Sequence, residues 1–305
     1  MKLGLTGATG FVGSTLMDLA LERGHRVKAL TRRDQPAREG VEWVRGDLAD
    51  DAAMERLAQG CDAVVHVAGV VNAADRAGFE AGNITGTRAM VGAARKTQVP
   101  RFVHVSSLAA REPGLSDYGW SKAMAEAEAT KAQGCVMVRP PAIYGPRDTE
   151  MFELFRAAKW GVLPLPPRGR ASMIHVADLA RLLLALAEGG AEDGAIFEAD
   201  DGHQSARGAR GWSHAELARM IGSATGRSVL PLHVPAAVLR LAAKADRAFR
   251  GSGAKLTPDR ASYMCHPDWT ARPEMAPPAA LWQPRIAAPE GLRQTAEWYR
   301  AEGWL

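Results

Sequence analysis

The chain has 305 residues, 47% hydrophobic and 24% charged, with 31 Gly, 18 Pro and 3 Cys. That composition excludes intrinsic disorder, a collagen-like repeat and a disulfide-stapled miniprotein, and the length suits one large domain or two unequal ones. With 38 basic and 34 acidic side chains the net charge is +4, too small an excess to argue for a nucleic-acid or membrane partner.

Short apolar runs at 2–6, 26–31, 41–45, 63–68, 102–106 and 136–139 read as strands. Amphipathic stretches at 11–23, 51–58, 84–96 and 118–133 read as the helices between them. The strands are almost continuously apolar, as expected when helices cover both faces of a sheet. Alternating strand and helix predicts a doubly wound parallel α/β sheet of the Rossmann type. After residue 140 the rhythm changes. Proline-rich breaks at 140–141 and 163–167 precede a helix at 176–188, a strand at 195–199 and a polar loop at 200–211. Helices follow at 213–225, 235–249 and 289–300, with a loop at 251–253 and a proline-rich stretch at 276–284. The expected division is a dinucleotide-binding domain of 1–145 plus about 172–200. A smaller, mostly helical substrate-binding region takes 146–171 and 201–305, capping the ligand edge of the sheet. The longest apolar runs, such as 182–187, are far short of a membrane span. Met1-Lys2-Leu3-Gly4-Leu5-Thr6 reads as a first strand in place of a secretory leader, and Cys61, Cys135 and Cys265 read as reduced thiols. Both point to a cytoplasmic protein.

Thr6-Gly7-Ala8-Thr9-Gly10-Phe11-Val12-Gly13 lies between the first strand and the first helix. Small residues there permit a tight turn, close backbone approach to a pyrophosphate and close helix–strand packing. The helix amino terminus offers unpaired N–H groups and a positive dipole end. Gly7, Thr9, Gly10, Phe11, Val12 and Gly13 are therefore expected to hold a dinucleotide. The spacing is G-x-x-G-x-x-G, not the commoner G-x-G-x-x-G.

That spacing resembles the extended short-chain dehydrogenase/reductase superfamily, also called the NAD-dependent epimerase/dehydratase family. Further motifs agree in order over residues 1 to about 180: Gly46-Asp47-Leu48, His66-Val67-Ala68-Gly69, Asn83-Ile84-Thr85-Gly86-Thr87, Val105-Ser106-Ser107, Tyr118-Gly119-Trp120-Ser121-Lys122, Arg139–Pro146 and His175-Val176-Ala177-Asp178-Leu179. The resemblance implies that Asp47 and Leu48 lie by the adenine. It implies that Val67, Ala68 and Gly69 line the cofactor, and that Pro140 and Ile143 belong to a loop beside the nicotinamide.

Tyr118 and Lys122 are four apart on a predicted helix and so share a face. A phenol titrates near 10, and an ammonium one turn away is expected to lower that value toward the working range. Tyr118 is then the proton donor or acceptor. Lys122 tunes it and binds the nicotinamide ribose, and the Ser107 hydroxyl polarises the substrate oxygen. Only eleven positions separate Ser107 from Tyr118, shorter than the family's usual loop, which leaves Ser106 as an alternative to Ser107. Nucleotide-sugar epimerases resembling this chain carry an Arg four residues before their H-V-x-D motif. Here that position is Ala171, with Arg170 one residue off, which shifts weight toward a reductase.

At the end of the second strand Thr31 is followed by Arg32 and Arg33, and no carboxylate comes before Asp34. Arg32 is expected to pair with a 2′-phosphate, so NADP(H) is favoured over NAD(H). No metal site is expected, because the eight His are scattered. His66, His104 and His175 read as satisfied structural histidines; Arg207, Arg210 and Arg227 as solvated; Trp120 and Trp160 as core or pocket residues. The leading function is hydride transfer between NADP(H) and a small-molecule secondary alcohol or ketone, with no nucleic-acid or membrane partner and a homodimer left open. The alternatives are an epimerase or dehydratase that recycles its cofactor, and a non-catalytic cofactor-sensing or assembly protein.

Overall fold

A computed structural model of the protein describes residues 1–254 and 256–305. The chain divides into two compact units. The first comprises Met1–Arg139, Leu179–Phe197 and Pro277–Gln283; the second comprises Pro140–Asp178, Glu198–Ala276 and Pro284–Leu305. The boundary therefore falls after Arg139, earlier than residue 145. The reason is pairing: Ala142–Tyr144 and Met173–His175 form a parallel ribbon, which draws 140–145 and 172–178 into the same unit.

The first unit is built on a seven-stranded parallel sheet. Its spatial order is Ile196–Phe197, Cys135–Val138, Phe102–Val105, Ala63–His66, Lys2–Thr6, Arg26–Thr31 and Val41–Arg45. The order reverses between Lys2–Thr6 and Ala63–His66, with Leu3 opposite Ala63 and Thr6 opposite His66. In a doubly wound sheet this switch point opens a crevice at the carboxyl ends of the strands, where ligands bind. The Rossmann-type α/β class read from the sequence is the class observed. Met54, Leu57 and Met90 from two covering helices, Asp51–Ala58 and Gly86–Lys96, meet Phe102 and Met137 of the sheet in one buried cluster. Each such side chain contributes about 1.5–3 kcal/mol by leaving water.

One predicted helix differs in form. In place of a single helix from 84, a short helix Arg76–Phe79 passes into a π-turn at Glu80–Thr85, which leads into Gly86–Lys96. The π-turn brings Asn83 inward, where it makes the contacts described below. Strands 63–68, 102–106 and 195–199 each end earlier than their apolar runs, because their last residues leave the sheet as loops.

In the second unit the helices His214–Thr225, Ala236–Arg250, Pro258–Met264 and Ala288–Ala301 dominate. Short strand pairs, Val162–Leu165 with Leu230–His233 among them, were hidden from the sequence by prolines. Its core gathers Tyr144, Phe155, Leu163, Ile221, Leu292 and Tyr299. Trp160 is 86% exposed and so is not part of the core. No helix among the described residues is long and apolar enough to cross a membrane.

Candidate active site

The glycine turn of the first unit has the shape its spacing implies. Gly7 sits at φ +72°, a left-handed conformation that favours glycine. A Cβ on Gly13 would lie 2.1 Å from the Gly7 carbonyl oxygen, so the turn and the first helix are packed at backbone contact. Gly10 caps the Phe11–Glu22 helix without any side chain accepting from its first N–H groups. Those donors remain directed outward at a positive helix end, which fits a pyrophosphate.

Facing this turn across the switch point, the fourth strand is fixed by a small polar network. His66 is buried and pairs with the hydroxyls of Thr6 at 2.8 Å and Thr87 at 3.1 Å. Thr6 also accepts from the Ala68 N–H at 3.1 Å, which pins Val67, Ala68 and Gly69 beside the first strand. Asn83 accepts from the Val70 N–H at 2.7 Å and donates to the Val70 carbonyl and to Ser121, each at 2.9 Å. Ser121 in turn donates to the Tyr118 carbonyl at 2.8 Å. Asn83 thus ties the strand's exit to the Asp117–Ala129 helix. Asn83 lies in the Asn83-Ile84-Thr85-Gly86-Thr87 motif, but the π-turn that aims it has no sequence signature.

Ser107, Tyr118 and Lys122 come together in this unit. Tyr118 is half-buried, and its hydroxyl is hydrogen-bonded to Ser107. Burial raises the phenol's pKa and the Ser107 bond opposes that rise. The expected depression by Lys122 is not what shapes this group. Lys122 is buried, donates to the Val105 carbonyl at 2.8 Å, and has its pKa lowered to about 8 by burial, with Glu126 opposing. Tyr118 therefore stands neutral at pH 7.

The short loop closes because it coils. Leu108–Arg111 forms a 3-10 turn whose start is Ser107, and Ser116 accepts from the Gly119 N–H to begin the next helix. A Cβ at residue 119 would lie 2.8 Å from the Ala109 carbonyl oxygen, so glycine is required where turn and helix touch. Ser106 faces elsewhere: it donates to Glu126 at 2.5 Å. Arg139 grips the same carboxylate through two bonds of 2.8 and 2.7 Å. Glu126 lies one turn beyond Lys122, a spacing that could have marked it in the sequence.

The remaining expected positions are less constrained. Arg32 is exposed, and Asp34, the first carboxylate after the strand, is ion-paired with Arg45. Asp47 is exposed and accepts from the Ala49 N–H at 2.9 Å; Leu48 is half-buried. Pro140 and Ile143 belong to the second unit, with Ile143 opposite Ile174 in the parallel ribbon. There Arg170 donates to the carbonyls of Arg210 and Gly211 and lies 3.8 Å from Glu216.

Two expectations from the sequence are not met. His104 is buried with neither ring nitrogen partnered among the described residues, and His175 lacks a partner at Nε2. Burial lowers the pKa of both, to about 4 for His175. Arg210 is not fully solvated, since its guanidinium lies 3.7 Å from the buried Asp200. Trp120 is half-buried, and the Arg76 guanidinium stacks 3.7 Å from its ring centroid. Cys61 and Cys135 are buried free thiols, raised to about 11 and 12 by burial.

The chain is similar to known proteins over most of its length. The profile of the NAD dependent epimerase/dehydratase family matches residues 4–198. A ceramide reductase of Caulobacter vibrioides is 38% identical, over 99% of this chain and 95% of its own length. A 4-hydroxy-2-methyl-3-oxo-4-farnesyl-3,4-dihydroquinoline-1-oxide ketoreductase of Stigmatella aurantiaca is 30% identical, over 66% of this chain and 69% of its own. Among solved structures, the UDP-glucose 4-epimerase of Thermotoga maritima superposes with a TM-score of 0.71 at 20% identity, over 99% of each chain. The chain belongs to the NAD dependent epimerase/dehydratase family and is an enzyme of that family.

Proposed function

We propose that this family member is an NADPH-dependent ketoreductase whose substrate is a ketone carried on a large apolar molecule. The observation that supports it most is the Tyr118 hydroxyl hydrogen-bonded to Ser107 on the same helix face as the buried Lys122. A neutral phenol is a proton donor, and donation is what reduction of a carbonyl requires. The named activities of the two relatives, reduction of a ceramide and of a 3-oxo group on a farnesylated ring, supply the substrate class. Arg170 adds support against a nucleotide sugar, because its donors are already directed at the Arg210 and Gly211 carbonyls and at Glu216.

The turn Gly7–Gly13, Arg32, Asp47, Leu48 and Val67–Gly69 would hold the dinucleotide, with Lys122 at its ribose. Reduced nicotinamide, when bound, supplies the hydride that the carbonyl carbon accepts. Ser107 orients the carbonyl oxygen. Tyr118 donates its proton to that oxygen as the C=O bond becomes CH–OH, and the resulting phenolate recovers a proton from solvent. The cationic Lys122 favours that transient phenolate.

The test is absorbance of NADPH with a 3-oxo lipid and with a UDP-sugar, with mass analysis of the products. Stoichiometric oxidation of NADPH and a product heavier by two hydrogens from the lipid is the expected result. Sugar interconversion without net NADPH loss would establish the epimerase alternative instead.

A further inference from the structure

The helix Ala236–Arg250 in the second unit packs half-buried Leu239 and buried Ala243 on one side and turns a second, larger apolar stripe to solvent. A helix on a globular protein normally turns its apolar stripe to the core. Here Val238, Leu241 and Phe249 recur at helical spacing and are 53%, 69% and 90% exposed, while Ala243 is the buried member among the described residues. Ala245, also exposed, lies between them on the same face. The helix is held from its other side, packed on Pro258–Met264 and bonded from the Leu256 N–H to Asp246 at 2.9 Å. The strand leading into it exposes Leu230 and Leu232, at 64% and 53%.

Charge selects what covers such a face. The helix carries Arg240, Lys244, Arg247 and Arg250 against Asp246 alone, four cations less one anion, a net of +3 within 15 residues. Arg240 and Lys244 are exposed one turn apart on one flank of the helix, and Lys244 borders the apolar stripe next to Leu241. Two copies of the helix laid face to face would bring like charges together, which disfavours a second chain as the occupant. An anionic lipid leaflet complements both features, taking the apolar stripe below its headgroups and the cations among its phosphates.

We propose that Ala236–Arg250 docks the protein on an anionic membrane surface. The net charge of the whole chain carried no such argument; its local distribution does. Docking stands independently of the reduction proposed above, since it is read by binding alone and needs no substrate.

The experiment is co-sedimentation of the full chain with vesicles of phosphatidylcholine, with and without phosphatidylglycerol, at rising salt. Binding should require phosphatidylglycerol and weaken with salt. The double variant Leu241→Asp/Phe249→Asp should lower the partition coefficient roughly tenfold or more. The double variant Arg240→Gln/Lys244→Gln should lower it by roughly tenfold on anionic vesicles. All four side chains are exposed, so an unchanged melting temperature verifies that each variant is folded. Absence of binding to anionic vesicles, or undiminished binding by the folded Asp variant, would overturn the proposal. So would self-association of the parent chain, lost in the Asp variant, without vesicle binding.

Discussion

The Ser106 hydroxyl donates to the Glu126 carboxylate at 2.5 Å, so of two adjacent serines it is Ser107 that meets the phenol of Tyr118. The strand Phe102–Val105 ends just before them, and successive residues leaving a strand point to opposite sides. Ser106 turns toward the Glu126–Arg139 pair, Ser107 toward Tyr118.

Substituting the two serines separately should therefore give different signatures. Ser107→Ala is expected to lower kcat/KM by roughly tenfold to a hundredfold, the value of a hydrogen bond to a group that gains charge in the transition state. Ser106→Ala is expected to lower stability by about 1 kcal/mol with little effect on turnover, since Arg139 still satisfies Glu126. Steady-state kinetics beside thermal melts decide it. The reverse pattern would move the site to Ser106.

Tyr118→Phe removes the proton donor and leaves the ring. Turnover should fall by about 10²–10⁴-fold, the usual worth of general acid–base catalysis. Binding of NADPH, followed by fluorescence titration, should persist because the turn Gly7–Gly13 is untouched. A variant that keeps more than a tenth of kcat would rule out the role.

Arg32 governs cofactor choice in this reading. It is exposed at the end of Arg26–Thr31, whereas the Asp34 carboxylate is held by Arg45. Calorimetry should show tighter binding of NADPH than of NADH, and Arg32→Ala should remove roughly 1.5–3 kcal/mol of that difference, the range for a charge-assisted hydrogen bond. Equal affinities in the parent protein would overturn it.

Buried histidines set the acid limit of stability. His66 has its pKa lowered from 6.5 to about 3 by burial, with Lys122 contributing, and His175 is lowered to about 4 by burial against Asp178. Both take up a proton more readily when unfolded. The stability they contribute is complete above pH 6.5 and is lost as pH falls toward 4 and then 3. Asp148, raised to about 6 by burial, works in the opposite sense: its contribution is complete below 3.8 and is lost as pH rises through 6. Chemical denaturation between pH 7 and 4 should show net destabilisation on acidification, and His66→Asn should flatten that slope. A stability that rises steadily toward pH 4 would show that Asp148 dominates.

The sequence by itself determined the sheet, its parallel sense and the glycine turn. Each rests on local signals: continuous β-branched runs, strand–helix alternation, and small residues at fixed offsets that no side chain can replace. The pairing of Tyr118 with Lys122 on one face was equally legible, because helical spacing needs no tertiary information. Tertiary structure alone decided which serine meets Tyr118, since that depends on a 3-10 turn and on a carboxylate twenty residues away. It also decided the protonation of Tyr118. Spacing promised the field of Lys122, but burial removes the phenol from water and sends the lysine to the Val105 carbonyl, and desolvation outweighs a neighbouring charge. The exposed face of Ala236–Arg250 is the same lesson in reverse. Periodicity shows that a helix has an apolar side, and only packing shows whether anything covers it.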